Sequence, residues 1–353
     1  MKYAGIDLHK QTISVCVVTK DKRVLVRKRF FTRDTDRIRA FFAGLGEFQM
    51  VCEATGSYEW LFRLLEPLAA RTVLAHPGKL RVIAESTRKS DRHDAQALAE
   101  RLAEDAVPQS YRPTPRQRDH RRLVRQRIVI QRKITAAKNR LRRLLTDYNA
   151  DVRNLFSAAG REHFAQVPLS EADRFIGQQY WLELEFYRRA LRHVDHRLAE
   201  FAQAGSPREQ EARALLRTIP GVGPMTTEVV LAELADVSRF GSQKAVAAYA
   251  GLAPGQRESA GKRQELHIEK KGSTNLRWVV CQAAWQLVRR SQRWQSVYRA
   301  LKARMKAQKA ITAIARRLLC LMTAILKSGQ PYQLARPLPI RGAKPLGAAA
   351  SSS

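Results

Sequence analysis

Four carboxylates in this chain have the types and settings that could serve a divalent cation. Asp7 ends an apolar, strand-like stretch in the run IDLHK, and Glu53 ends another in VCEATGS. Asp91 and Asp94 follow in KSDRHDAQALA at i and i+3, a spacing that puts both on one helix face. Hard cations such as Mg²⁺ take oxygen ligands, and two of them about 3.5–4 Å apart polarise both sides of a phosphodiester. Without a cation, gathered carboxylates repel one another. Singly, each acid has a plainer reading. Asp91 suits the dipole of a helix start, and Glu53 suits a strand end at the surface. Asp7, which interrupts an apolar strand beside Gly5, is harder to explain that way. His9, Lys10 and His93 lie near the acids in sequence, as phosphate contacts or as plain support.

A second group lies far along the chain. Ser259 stands in ESAGK and Ser273 in KKGSTNLR. A serine that attacks a phosphodiester needs activation, and cations to hold the developing charge. Arg257, Lys262 and Arg263 could supply that charge, with Lys270, Lys271 and Arg277 behind them. Residue types alone do not single out Ser259, because a loop serine beside arginines is more often a hydrogen-bonding contact to phosphate. Upstream, TIPGVGPMTTEVVLAEL has the form of a helix-hairpin-helix. Gly221 and Gly223 allow a tight turn and close backbone approach, and the N–H groups opening the next helix can hold a phosphate oxygen. An ordinary helix–helix turn has the same form.

The elements that must position these groups follow from hydrophobic pattern. Residues 3–8, 12–19 and 23–31 alternate as three consecutive strands, joined by short turns. A helix is expected over 34–45, a buried strand over 48–54, a helix over 57–70 and a fifth strand over 72–76, ended by Pro77 and Gly78. A helix capped by Ser90 then carries Asp91 and Asp94 to about Glu104. That order is the order of a ribonuclease-H-like domain. Residues 114–147 form one long helical run with Leu123, Ile130, Ile134, Leu141 and Leu145 as its apolar stripe. A second long helix over 170–204 makes an antiparallel pair or coiled coil with it, leaving a basic outer face in need of a partner. Beyond lie helix–turn–helix over 208–236, a short helix over 239–251, a polar, hairpin-like stretch over 252–275 and a basic helical stretch over 275–327.

Charge narrows the class. The chain has 353 residues, with 64 Lys and Arg against 32 Asp and Glu, a formal net charge of +32. Residues 111–150 hold 13 basic and 2 acidic side chains, and no acid follows Glu269. A polyanion partner is implied, nucleic acid first, with strongly salt-dependent binding. An apolar fraction of 44% argues against wholesale disorder, although the last residues read as a disordered tail. No run approaches a membrane span or a signal peptide. Cys16, Cys52, Cys281 and Cys320 share no CxxC spacing, which disfavours a disulfide framework or zinc site and suits a reducing cytoplasm.

The ordered set IDLHK, EATGS, KSDRHDA, PGVGP and YAGLAP followed by SAG resembles the transposases of the insertion sequence 110/1111 family, whose relatives include Piv-type DNA invertases. The resemblance runs over about residues 1–330. It implies a RuvC-like DEDD catalytic domain over 1–108, with Asp7, Glu53, Asp91 and Asp94 as Mg²⁺ ligands. It implies a basic helical or coiled-coil segment over 109–205, a mostly α transposase domain over 206–335 and a tail over 336–353. Ser259 matches the family's nucleophilic serine, except that Ala260 intervenes before Gly261, and Ser273 is the reserve. The implied activity is transposition through a serine–DNA covalent intermediate. An element-encoded bridge RNA would pair with donor and target DNA, and dimers would assemble into a tetramer in the cytoplasm of a prokaryote, at the nucleoid. Two rivals use the same residues differently: a RuvC-like junction nuclease with metal-activated water, and a non-catalytic nucleic-acid-binding scaffold.

Overall fold

The structure is a computed structural model that describes residues 1–83, 91–259, 262–268 and 272–333. The chain divides into two compact units, Met1–Arg112 and the residues from Pro113 onward.

The first unit is built on five strands: β1 (Lys2–Leu8), β2 (Thr12–Val18), β3 (Val24–Phe31), β4 (Phe48–Glu53) and β5 (Arg71–Ala75). Their order across the sheet is β3-β2-β1-β4-β5. The first three form an antiparallel meander, and β4 and β5 run parallel to β1. Parallel neighbours need crossovers, and helices supply them. Helix α1 (Thr35–Ala43) joins β3 to β4, and α2 (Glu59–Leu65) joins β4 to β5. Both bury their apolar residues on one face, where Ile38, Phe42, Leu61 and Leu65 pack with Ile6, Ile13 and Met50.

Helix α3 (Pro77–Ile83) follows β5 directly. Sequence reading takes Pro77 and Gly78 as the end of the fifth strand, and β5 does stop just before them. Proline lacks the N–H that a first helical turn leaves unused, so Pro77 also opens a helix. His76 Nδ1 accepts a hydrogen bond from Lys79 N at 3.3 Å and caps that turn. Ser90, the expected cap of the next helix, lies outside the described residues. Helix α4 (Asp91–Ala103) covers the other face of the sheet, where Ala95, Ala99 and Ala103 pack on Cys16 and Val18.

The second unit begins with α5 (Pro115–Thr146), opened by a capping box between Thr114 and Gln117. After α6 (Ala158–Gln166), a helix with no counterpart in the sequence reading, α7 (Glu171–Gln203) returns along α5. The pairs Arg116–Phe201, Arg127–Asp195, Arg140–Glu183 and Tyr148–Asp173 descend in one number as they rise in the other, so the two helices are antiparallel. Ile130, Ile134, Leu141 and Leu145 of the expected stripe are buried between them, with Leu123 half-buried.

Helices α8 (Pro207–Arg217), α9 (Pro224–Leu234) and α10 (Gln243–Tyr249) lead to a hairpin of β6 (Pro254–Ser259) and β7 (Lys262–Ile268). The basic stretch then breaks into α11 (Thr274–Arg290), α12 (Gln292–Lys302) and α13 (Ala307–Ser328). The breaks let Trp294 and Leu301 join the core that also holds Val124, Ile128 and Leu198 from the helical pair. No described helix is long and apolar enough to cross a membrane. Among the described residues, the four cysteines form no disulfide.

Candidate active site

The first unit sets Asp7 and Glu53 side by side. Gly5 lies beside Val51 and Ile6 beside Cys52 in the parallel β1–β4 ladder, so the next pair along the strands is Asp7 and Glu53. Side chains alternate between sheet faces. A Cβ on Gly5 would stand 2.0 Å from the Ala95 carbonyl oxygen and 2.5 Å from Ala99 N, so α4 lies directly on this part of β1. Asp7, two residues on, shares that face. Val51 packs with Leu98 and Leu102 of α4, so Glu53 shares it too.

The direction of α4 brings its own acids toward the same strand ends. Val18 pairs with Tyr3 at the start of β1, and Lys20 just beyond donates to the Ala103 carbonyl at 2.5 Å. The C-terminus of α4 is therefore near the start of β1, and its N-terminus, with Asp91 and Asp94, lies toward Asp7. Asp94 is exposed. The side chains of Asp91 and His93 lie outside the described residues.

Asp7 is 17% exposed, and its Oδ2 is 3.0 Å from His9 Nε2. Burial pushes the Cys52 thiol up to about 12, helped by the negative charge of Asp7 and then of Glu53. Two carboxylates so placed carry the charge and the oxygen donors that suit a hard divalent cation. Among the described residues, no three His, Cys, Asp or Glu side chains gather into a metal-holding group. Lys10 is exposed.

The second unit holds the other predicted residues. Ser259 ends β6, with Lys262 as its partner in the hairpin ladder. The side chains of Ser259, Arg257, Lys262 and Arg263 lie outside the described residues, as do Lys270 and Lys271 entirely. Ser273 caps α11, its hydroxyl accepting from Leu276 N at 3.2 Å. Arg277 donates to the Ala250 carbonyl at 3.1 Å, at the end of α10. Gly221 has φ +83°, and a Cβ there would stand 2.9 Å from Gln286 Cβ. Its conformation and its closeness both serve the packing of the turn on α11. Gly223 caps α9, and a Cβ there would meet nothing within 4 Å.

Composition assigns the cations of α5 to an outside polyanion, and here the structure differs. Arg116 pairs with Glu209, Arg125 with Glu233, Arg127 with Asp195, Arg140 with Glu183 and Arg142 with Asp151. Arg121 donates to the Ala232 and Glu233 carbonyls at the end of α9. Sequence reading also misses a buried cluster in which Glu228 accepts from Arg213 Nε at 2.8 Å and lies 2.7 Å from His120 Nε2. Burial pushes the Glu228 carboxyl up, but the hydrogen bonds and charges of His120 and Arg213 outweigh it and hold it below the usual carboxylate range. Glu228 and Glu233 in the otherwise apolar run TTEVVLAEL were the available signal. A pocket of about 430 Å³ in this unit, lined in part by Arg140, Arg143, Asp147, Tyr148 and Tyr180, contains no predicted site residue.

Comparison with known proteins adds the family context. The family model described as Transposase IS116/IS110/IS902 family matches residues 213–299. A second, DEDD_Tnp_IS110, described as Transposase, matches residues 4–150. The transposase for insertion sequence element IS1111A of Coxiella burnetii is 26% identical over 349 residues, 94% of this chain and 92% of the relative. A probable family 20 transposase of Pseudomonas aeruginosa is 28% identical over 291 residues, 81% of this chain and 83% of the relative. The pilin gene-inverting protein of Moraxella lacunata is 25% identical over 342 residues, 94% of this chain and 97% of the relative.

Proposed function

This chain belongs to the IS110/IS116/IS902 transposase family, and on that premise we propose that it is an RNA-guided DNA recombinase with carboxylates in one unit and a nucleophilic serine in the other. The observation that carries this reading is the adjacency of Asp7 and Glu53 at the ends of parallel strands, under the start of α4.

Strand order β3-β2-β1-β4-β5 with an antiparallel meander supports a ribonuclease-H-like reading of the first unit. Asp7, Glu53, Asp91 and Asp94 would hold Mg²⁺. The bound ion would neutralise charge on the scissile phosphate and lower the barrier to attack. The reaction at the phosphate is then a transesterification. Ser259 Oγ forms a bond to phosphorus as the bond to the leaving sugar oxygen breaks. The serine proton goes to solvent, and the sugar oxygen leaves as a hydroxyl after taking up a proton. Strand exchange reverses this step with a sugar hydroxyl of the other DNA. The α8–α9 turn, read as helix-hairpin-helix, would hold the DNA backbone through the N–H groups beside Gly223. Donor and target DNA, an element-encoded bridge RNA and further copies of the chain are the partners of this reading, and base pairing would supply the choice of site.

The test is a covalent adduct. The protein is purified with its element's RNA and incubated with donor and target DNA and Mg²⁺, and an SDS-resistant protein–DNA species is sought. It is expected in the parent and absent in Ser259→Ala, which still binds RNA. An adduct that survives Ser259→Ala removes Ser259 from the chemistry. Metal-dependent nicks without any adduct would favour the nuclease reading.

A further inference from the structure

The row of residues that begins at the two carboxylates continues to the edge of the sheet. Asp7 pairs with Ser14, and Ser14 pairs with Arg29. One row therefore crosses β4, β1, β2 and β3 as Glu53, Asp7, Ser14 and Arg29. All four share the face that carries α4. Cys16, two residues from Ser14, packs against Ala95 and Ala99, and Arg27, two residues from Arg29, donates to Gln96 of α4 at 2.5 Å. The next row on this face pairs Thr12 with Phe31. Arg29 is exposed and donates to Thr12 Oγ1 at 3.4 Å, with no acidic partner among the described residues. Phe31 is 52% exposed. The Arg33 guanidinium lies 5.0 Å from its ring centre, with Asp34 at 3.9 Å from Arg33 Nε.

Cations on an edge strand commonly do no more than prevent sheets from joining edge to edge. Two features exceed that role. A large exposed aromatic runs against it, because Phe31 makes the edge more adhesive. The cation and the aromatic also sit on the carboxylate face, Arg29 in register with Asp7 and Phe31 in the next row. A hydroxyl, a guanidinium and a half-exposed aromatic ring are the groups that hold one nucleic-acid strand through phosphate and base or sugar.

We infer that this edge is a track for the DNA strand entering the carboxylate site, with Arg29 on a phosphate and Phe31 against a base or sugar face. Strands about 4.8 Å apart place Arg29 two strands, about 10 Å, from Asp7. Arg29 thus holds a phosphate near the scissile one rather than that phosphate itself. The inference rests on the carboxylate reading above for which strand is held.

The experiment uses the full chain and single-stranded DNA substituted with 5-iodouracil, irradiated and then digested with trypsin. Cleavage after Arg29 and Arg33 isolates the peptide FFTR, residues 30–33. The expected result is a DNA crosslink on that peptide, lost in Phe31→Ala and reduced at least about fivefold in Arg29→Ala, where cleavage after Lys28 releases the same site as AFFTR, residues 29–33; either is the loss of one stacked base or one phosphate contact. Arg29→Lys restores part of the yield. Both positions are exposed, so folding is checked simply by unchanged melting. Mn²⁺ binding followed by electron paramagnetic resonance separates the two readings. Parent-like Mn²⁺ binding with no crosslink on the peptide overturns the track alone. A crosslink without Mn²⁺ binding overturns the metal reading and leaves the strand contact standing. Crosslinking of an RNA oligomer in preference to DNA of the same sequence also overturns the inference as stated.

Discussion

Arg125 holds Glu233 with two hydrogen bonds, Nε to Oε1 at 2.8 Å and Nη2 to Oε2 at 3.0 Å, and the Glu233 side chain has no exposed surface. A long basic helix is thereby locked to α9 of the second unit. Tyr249 adds a hydrogen bond to the Glu233 carbonyl at 2.9 Å. Removing the arginine strands a charge in the core. Arg125→Ala is expected to cost about 2–3 kcal/mol, less than the about 3–5 kcal/mol of a fully buried pair because Arg125 is half exposed. Urea denaturation measures it. Arg125→Met with Glu233→Leu should recover most of the loss, and no recovery would show that the pair is not the source.

The buried Glu228 sets an acid limit on the same unit. Its folded carboxyl lies below the ordinary range, so its contribution is complete above that range and is lost as pH falls through the folded value. In that window the unfolded chain binds more protons than the native one, so stability rises with pH. Thermal melting from pH 6 downward should fall below about pH 4. Glu228→Gln is expected to start lower at pH 6 and to decline less steeply, and a parallel decline would assign the acid limit elsewhere.

Asp7→Asn separates the chemical role of the carboxylates from their effect on folding. Metal-dependent strand transfer should drop roughly a hundredfold or more, since a metal's stabilisation is worth several kcal/mol. Without metal, the variant should melt no lower than the parent, because it relieves repulsion with Glu53. Transfer at the parental rate would remove Asp7 from the reaction.

Three glycines should respond differently to alanine. Gly5→Ala puts a methyl against the α4 backbone, where nothing flexible can yield, and is expected to lower stability by about 3 kcal/mol or more. Gly221→Ala combines a left-handed backbone with contact on Gln286 and should also destabilise. Gly223→Ala meets open space and should cost no more than about 1 kcal/mol, as a poorer helix cap. Scanning calorimetry gives the ranking, and a Gly5→Ala variant as stable as Gly223→Ala would contradict the close approach of α4.

Much of this protein was legible in its sequence because local patterns report local structure. Alternation over residues 3–31 marks the three-strand meander, and the period of Ile130, Ile134, Leu141 and Leu145 marks the buried stripe of α5. The order of the acids and the glycine turn also carried the family. What the sequence could not determine was which distant groups meet. Thirteen basic side chains in residues 111–150 read alike along the chain, yet Arg125 faces a buried carboxylate and Arg121 a helix end. Pro77 reads as the end of a strand, and only the structure shows that it also starts a helix, where its missing N–H is harmless. Most tellingly, Arg29 is one cation among many until strand register sets it in line with Ser14 and Asp7. Hydrophobic periodicity depends on neighbours a few residues apart. Ion pairing and register depend on partners brought together only when the chain packs, and those the tertiary structure alone decided.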